Sequence, residues 1–431
     1  MKLLIIASDD FFSSYGGGQI YVKNLVDEFI RQGIYPSIAT PNKQKKVKSE
    51  YKGCQLYFFN TDALQSELKK LLWEINPAIV HAHGYKASFT NTCSTIGVPC
   101  IVTAHHGGIL CPAGTLLNYH NQICHKPASN RDCLPCVLKN IRGGIVSLPI
   151  LQMVPLSLRW WFGRLLKRLP FIPYLTPVGQ TSFSIKNKKK EWETIYKKAT
   201  QLIAPSHAIA QSMILNGAAK KKITVIPHGI PLQKSNRFNI PIISKPAKPI
   251  RFFFVGRICH VKGVHILLKA FHLIHNNAEL HIIGGTGNKT EGRYRNSLKK
   301  KYKFNSHIVW HGKIDHNKVE KLMAQFDIMV HPTISMEVFG LNISEALAMG
   351  KFVIATRCGG AEMQIKNGVN GWLVAPNDIN ALSSAMKKIF NGLHLLNRRG
   401  GQESTVFSVE SHCNELQNLY RKNITKRLLW E

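Results

Sequence analysis

Short apolar runs alternate with amphipathic stretches along most of the 431 residues. In the first half the runs LLIIAS (3–8), PSIAT (36–40), QLYFF (55–59), AIVHAHG (78–84), CIVTAHH (100–106), QLIAPS (201–206) and ITVIPHG (223–229) predict strands. Helical spacing lies between several of them. Gln19 to Arg31, for example, repeats Ile20, Val22, Leu25, Val26, Phe29 and Ile30 on one face. The pattern restarts with RFFFVGR (251–257), a helix from Val264 to His275, then ELHIIGG (279–285), HIVWHG (307–312), DIMVHP (327–332) and FVIATR (352–357). Strand–helix alternation of this kind predicts parallel sheets covered by helices on both faces. The stretch 231–249 holds four prolines and several charges, and reads as a linker. The fold class is therefore α/β, with two doubly wound domains joined near residue 240. Ligands of such sheets bind at the carboxyl ends of the strands, and the cleft between the domains is the expected place.

Residues 137–200 break the alternation. Within them Leu156, Trp160, Trp161, Leu165, Leu166 and Leu169 are expected to form one apolar face, ringed by Arg159, Arg164, Lys167 and Arg168. A basic amphipathic segment carrying Trp beside Arg suits a membrane interface; packing on its own domain is the other reading. Charge sharpens the point. Lys and Arg outnumber Asp and Glu by 57 to 24, a net charge of +33, which draws polyanions without choosing among nucleic acid, anionic lipid and phosphorylated substrates. The basic residues are not interleaved with aromatics along one element, which argues against a nucleic-acid partner. The apolar run Leu3 to Ala7 is too short for a signal peptide, and no long uninterrupted apolar stretch predicts a membrane span. A cytoplasmic protein, peripheral on the membrane at most, with reduced cysteines is expected.

Four stretches point to phosphate and sugar. Gly16-Gly17-Gly18 follows the first strand and opens a helix, where unpaired backbone N–H groups favour an anion. VGRICHVKG (255–263) offers Arg257 and Lys262 to a diphosphate, one as a planar fork and one as a point charge. HPTISMEVFGLNISEALAMG (331–350) sets Glu337 and Glu345 eight positions apart around Phe339-Gly340-Leu341, at a strand end and a helix start. CGGAEMQIKNGVNGWLV (358–374) places Gly359, Gly360 and Glu362 after another strand.

Taken in order, with His105 in VTAHH, APS at 204–206 and VIPHGI at 225–230, these stretches resemble glycosyltransferase family 4, the retaining enzymes of the GT-B fold. The resemblance spans nearly the whole chain. It implies an N-terminal acceptor-side Rossmann-like domain (1–235), a C-terminal nucleotide-sugar-binding domain (236–405) and a helix crossing back (406–431). It implies that Arg257 and Lys262 neutralise a leaving diphosphate, Glu345 holds the nucleotide ribose, and Glu337 contacts the donor sugar. His105 would sit at the reacting centre. Gly17, Gly18 and the backbone from Phe339 through Gly340 and Leu341 to Asn342 would complete the donor site. No Asp-x-Asp triplet occurs, in keeping with the family's lack of a catalytic metal. The implied activity is transfer from a nucleotide-diphosphate sugar to a lipid-linked or oligosaccharide acceptor in cell-surface polysaccharide or glycolipid synthesis. A phosphorylase or epimerase on the same scaffold, and a basic nucleic-acid-binding protein, are the alternatives. Two departures stand out: His228-Gly229 where the family often has Asn-Gly, and His105-His106 where it often has His-Asp.

Cys111, Cys124, Cys133 and Cys136 are spaced C-x12-C-x8-C-x2-C in a loop spanning 107–136. That spacing in a reduced chain points to a structural tetrahedral thiolate site, with zinc first, an iron–sulfur cluster second, and His120 or His125 able to replace one thiol. Free thiols or disulfides are the plain alternative.

Overall fold

The computed structural model describes residues 1–9, 11, 16–41, 48–141, 143–168, 172, 175–232, 249–274, 277–399 and 406–428. Most of the linker expected at 231–249, and Leu169 of the expected apolar face, lie outside the described residues. The chain divides into two compact units. Unit 1 comprises the described parts of Met1–His120, Cys124–Gly229 and Val409–Glu431; unit 2 those of Asn121–Ile123 and Ile230–Ser408.

Unit 1 is built on eight strands: β1 (Leu3–Ile6), β2 (Ser37–Pro41), β3 (Lys48–Tyr51), β4 (Cys54–Phe59), β5 (Ile79–Ala82), β6 (Cys100–Thr103), β7 (Gln201–Ala204) and β8 (Ile223–Val225). Their order is β3-β4-β2-β1-β5-β6-β7-β8. All neighbours are parallel except β3, which runs antiparallel to β4. The chain moves outward from β1 on one side, then returns to lay β5 against the other. Leu4, Ile5, Ile6, Val80, Ile101 and Val102 are fully enclosed. Strands covered on both faces read as unbroken apolar runs, which is why this half of the sheet is visible in the sequence. The helix Val409–Leu428 packs in unit 1, burying Cys413, Leu416 and Tyr420.

Unit 2 carries β9 (Ile250–Val255), β10 (Ala278–Ile283), β11 (Ile308–Gly312), β12 (Ile328–His331), β13 (Phe352–Thr356) and β14 (Gly371–Val374). The order is β11-β10-β9-β12-β13-β14, all parallel. The chain winds one way from β9 and the other way from β12. A crevice for ligands is expected outside the carboxyl ends of β9 and β12, where the order reverses.

Several predicted strands end earlier than their apolar runs. AIVHAHG stops at Ala82, because the N–H groups of His83 and Gly84 both turn to the carbonyl of Ile6. Residues that look like strand by hydrophobicity are thereby released as loops at the sheet's carboxyl edge. Two strands escape the apolar pattern: β3 is the polar edge sequence KSEY, and β14 begins on a glycine.

Candidate active site

In unit 2 the residues following β9 and β12 meet. The N–H of Ile334 donates to Val261 O at 2.9 Å, which ties the loop after β12 to the turn His260–Lys262 after β9. That turn delivers the Lys262 ammonium to the carboxylate of Glu337, with which it forms an ion pair and hydrogen bond. His331, the last residue of β12, is enclosed and brings Nε2 within 3.4 Å of the same carboxylate. Burial alone would lift the Glu337 carboxyl, but Lys262 and His331 outweigh it and hold it well below the usual carboxylate range. Burial alone would lower Lys262, and Glu337 reverses that. Both groups are therefore charged across ordinary pH.

The loop carrying Glu337 is stitched to the loop after β13. Glu337 N–H donates to Cys358 O at 2.6 Å, and Gly360 N–H donates to Glu337 O at 2.9 Å. Gly360 allows this approach, because a Cβ there would lie 2.3 Å from Phe339 Cα. Gly340 opens the helix Leu341–Ala348 with φ of 89°, a left-handed conformation that glycine adopts without penalty. The glycine at the N-cap offers no side-chain acceptor. Ile343 N–H donates to Gly340 O and Asn342 Oδ1, and among the described residues the N–H groups of Leu341 and Asn342 have no acceptor. Gln364 supports the turn from beneath: its Nε2 donates to Phe339 O at 2.6 Å, and its Oε1 accepts from Ser344 Oγ at 2.6 Å. Phe339 is buried, Leu341 half-buried, and Asn342 donates its side-chain amide to Val255 O at 2.7 Å. The Asn342 side chain thus anchors the helix to β9, leaving only its backbone for a ligand.

Glu345 lies one turn into that helix. It is half-buried, and among the described residues its carboxylate has no hydrogen-bond or ion-pair partner. Burial and then Glu320 push its carboxyl up to about 7. Arg257 is exposed, with Nη1 3.5 Å from Glu291 Oε1. Glu291 in turn accepts from Gly287 N–H at 2.6 Å. Lys262, Glu337 and the Gly359-Gly360 turn are therefore joined in unit 2, while Arg257 pairs with Glu291 and Glu345 stands apart on the helix.

In unit 1 the counterpart is a cluster of rings. The helix Gly17–Arg31 begins one residue into the glycine run, and Gly17 and Gly18 lie within it. Gly18 faces His105: a Cβ added to it would lie 3.7 Å from His105 Cβ. His105 Nε2 is 2.7 Å from His83 Nδ1, while His106 is exposed. The Tyr21 ring centre lies 4.9 Å from His105 and 4.2 Å from His228. Tyr21 Oη also meets His412 Nε2 at 2.5 Å, and His412 Nδ1 donates to Pro227 O at 2.6 Å. His81 bridges Tyr420 Oη and Thr103 Oγ1 at 2.6 and 2.7 Å. The C-terminal helix thus contributes two residues to this cluster. Burial pushes His83, His105 and His228 well below the usual imidazole range, His81 to about 3 and His412 to about 4.

Sequence reasoning missed His331, Glu291 and Gln364 in unit 2, and Tyr21, His81, His83 and His412 in unit 1. A histidine pair at the end of a predicted strand, HAHG at 81–84, was a usable signal. His412 had none, since it lies 391 residues from the tyrosine it meets.

The expected metal site finds no support. Cys111, Cys124, Cys133 and Cys136 are free thiols, and among the described residues no group of three or more His, Cys, Asp or Glu could hold a metal ion. Cys124 Sγ turns to Lys126 O and Cys136 Sγ to Asp132 O, each satisfied locally. Burial pushes the Cys133 thiol up to about 12. The expected amphipathic face is also divided. Leu166 packs inward, whereas Leu158, Trp161, Phe162 and Leu165 are exposed on the helix Leu156–Leu166. The preceding helix Leu148–Met153 adds exposed Ile150 and Met153. Among the described residues no helix is long and apolar enough to cross a membrane.

Residues 235–401 match the family "Glycosyl transferases group 1", and residues 15–131 match "Glycosyltransferase Family 4". The uncharacterized glycosyltransferase MJ1178 of Methanocaldococcus jannaschii is 30% identical over 269 residues, covering 60% of this chain and 71% of that protein. MJ1069 of the same organism, also an uncharacterized glycosyltransferase, is 26% identical over 206 residues. That match covers 47% of this chain and 52% of MJ1069, so the chain spans about half the length of that relative. Among solved structures, Anabaena Alr3699/HepE in complex with UDP and glucose superposes with a TM-score of 0.65 at 15% identity, covering 98% of this chain and 99% of that one. At that identity the likeness is one of fold, GT-B with two parallel-sheet domains.

Proposed function

The chain belongs to the glycosyltransferases, and from that premise we propose that it transfers a sugar from a nucleotide-diphosphate donor with retention of configuration. The observation that supports this reading is the switch point of unit 2, where the turn after β9 brings Lys262 to Glu337 in the loop that leads into the helix Leu341–Ala348. A leaving nucleoside diphosphate gathers negative charge as the glycosidic bond breaks. Cations and helix N–H groups already in place stabilise that charge without reorganising. Arg257 and Lys262 take this part. Glu337 holds Lys262 charged and in position, and offers its remaining lone pairs to the sugar hydroxyls. Glu345, desolvated and unpartnered, accepts from the ribose hydroxyls. Protein cations carry the role that a divalent metal plays elsewhere. UDP, bound by Anabaena HepE, is a natural first donor nucleotide to test.

The acceptor side points to lipid-linked or oligosaccharide substrates made at the cytoplasmic face of a membrane. Trp161 and Met153 are 64% and 85% exposed, beside Arg164, Lys167 and Arg168. Trp161, Arg164, Leu165 and Arg168 line a surface pocket of about 180 Å³. Exposed aromatic and aliphatic groups among cations suit the interface of an anionic bilayer. Cell-surface polysaccharide or glycolipid synthesis is the setting this implies.

A panel of UDP-, GDP- and ADP-sugars tests the central reading, with donor consumption followed in wild type and Glu345→Ala. Turnover of one donor by wild type, with a raised KM for that donor in the variant, is expected. No turnover of any donor, together with salt-sensitive RNA binding, would favour the nucleic-acid reading instead. Flotation with anionic but not neutral liposomes at low salt is expected, and Trp161→Ala with Arg164→Ala should weaken it.

A further inference from the structure

His83 ends no strand and was given no role by its position, yet its geometry is unusually constrained. It follows β5 directly, and its N–H is fixed to Ile6 O at 3.0 Å. Its side chain is 1% exposed. Its Nδ1 lies 2.7 Å from His105 Nε2, and its Nε2 is buried with no hydrogen-bond partner. His105 is partly exposed, faces Gly18, and has no hydrogen-bond partner for Nδ1 among the described residues.

One proton must lie between the two rings. Both imidazoles are kept neutral by burial, so each carries a single N–H. Two arrangements satisfy this. In the first, His83 Nδ1–H donates to His105 Nε2, which leaves the His105 proton on Nδ1 and His83 Nε2 as a bare buried acceptor. In the second, His105 Nε2–H donates to His83 Nδ1, which leaves a buried N–H on His83 Nε2 with nothing to receive it. Orphaned buried N–H groups are rarer in proteins than under-satisfied acceptors. The first arrangement is therefore preferred.

We propose that His83 is a positioning residue that locks His105 in the Nδ1–H tautomer, so that His105 presents a neutral N–H donor to an acceptor oxygen of the bound substrate. Which ring nitrogen carries a proton is set by the hydrogen bond the other makes. A neutral donor binds a sugar hydroxyl or phosphate oxygen without adding a charge among the neighbouring imidazoles. It also leaves His105 without a free lone pair, and so unable to act as a general base. The inference rests on the reading that His105 sits at the reacting centre of a glycosyltransferase, but its central claim can be read without any turnover.

The test uses full-length protein with 15N-labelled histidine and long-range 1H–15N spectra that report the tautomer of each ring. Wild-type His105 is expected as Nδ1–H. In His83→Leu the donor is lost and His105 should shift toward Nε2–H. In His83→Asn the amide nitrogen occupies the place of Nδ1, and the wild-type tautomer should return. Transfer by His83→Leu should fall on the order of tenfold or more in kcat with little change in donor KM, and recover in His83→Asn. Thermal melts of both variants separate this effect from loss of fold. A wild-type His105 in the Nε2–H form, or a His105 tautomer unchanged in folded His83→Leu, overturns the proposal. If the tautomers behave as stated but wild type consumes no nucleotide sugar, the positioning role stands and the reading of the function falls.

Discussion

At and beyond the strand ends of unit 1 stand neutral rings: His81 within β5, then His83, His105, His228, His412 and Tyr21. Beyond those of unit 2 stand charges: Lys262, Glu337, Arg257 and Glu291. Both sets occupy the same topological place, the carboxyl edge of a parallel sheet where strand order reverses. Enclosure does opposite work in the two. In unit 1 it strips charge from imidazoles, because among the described residues no acid is paired with them to stabilise the cationic form. In unit 2 it leaves the ion pair charged, because each partner supplies what desolvation removes.

The ion pair offers the largest effect. Lys262→Met leaves Glu337 enclosed beside His331 alone. Transfer is expected to drop about 100- to 1,000-fold in kcat, in the range of losing one preorganised donor to a developing anion. Stability of unit 2 should fall by roughly 2–4 kcal/mol, moderated by the residual exposure of both side chains. Urea unfolding gives the second number. Lys262→Met combined with Glu337→Gln should regain much of the stability and none of the activity. If the single variant is as stable as wild type, the charged partnership claimed for unit 2 is wrong.

The second break is by acid. Folded-state values of about 3 for His81 and about 4 for His412 lie below the ordinary imidazole range. For groups lowered in this way the unfolded chain binds more protons as pH falls, so stability is retained above about pH 6.5 and lost below it. The loss approaches about 1.4 kcal/mol per pH unit for each such group. His331 in unit 2 is also lowered by burial, but Glu337 pulls against that shift. Glu337 itself is lowered, so its contribution persists above the ordinary carboxyl range and is lost only at lower pH. Hydrogen exchange between about pH 6.5 and pH 5 should therefore open β5 and β6 before β9 and β12. Simultaneous opening would remove the distinction between the two units.

How much of this contrast can be read in the chain follows the same division. The charged half announces itself, because Arg257, Lys262, Glu337 and Glu345 sit in short stretches beside glycines and next to apolar strands. Its supports do not: Gln364 clamps the carbonyl of Phe339 from 25 residues away, and nothing in the local pattern marks it. In the neutral half only His105 and the glycines were legible. Tyr21 looks like one more core residue of an amphipathic helix, and His412 like a polar residue of another. Their meeting depends on where the C-terminal helix docks, which periodicity does not encode. The cysteines show the converse: their spacing suggested a site that finds no support among the described residues, where two of the thiols turn to nearby carbonyls.

Glu345 yields the smallest effect and tests whether unit 2 is charged throughout. Unlike Glu337 it has no cation paired with it among the described residues, and burial pushes its carboxyl up to about 7. A raised carboxyl binds a proton in the folded chain before the unfolded one, so it adds stability at low pH that is lost as pH rises through 7. Glu345→Gln should therefore be more stable than wild type by about 1 kcal/mol above neutrality, with no advantage near pH 4. Donor affinity should run the other way. The ionised carboxylate accepts from two ribose hydroxyls, so wild-type KM for the donor should fall as pH rises through 7, while the KM of Glu345→Gln stays flat. Opposite signs for stability and affinity in one substitution mark a group held in a poor environment until substrate hydroxyls arrive. Matching signs would place Glu345 with the structural carboxylates, and the ribose would need another acceptor.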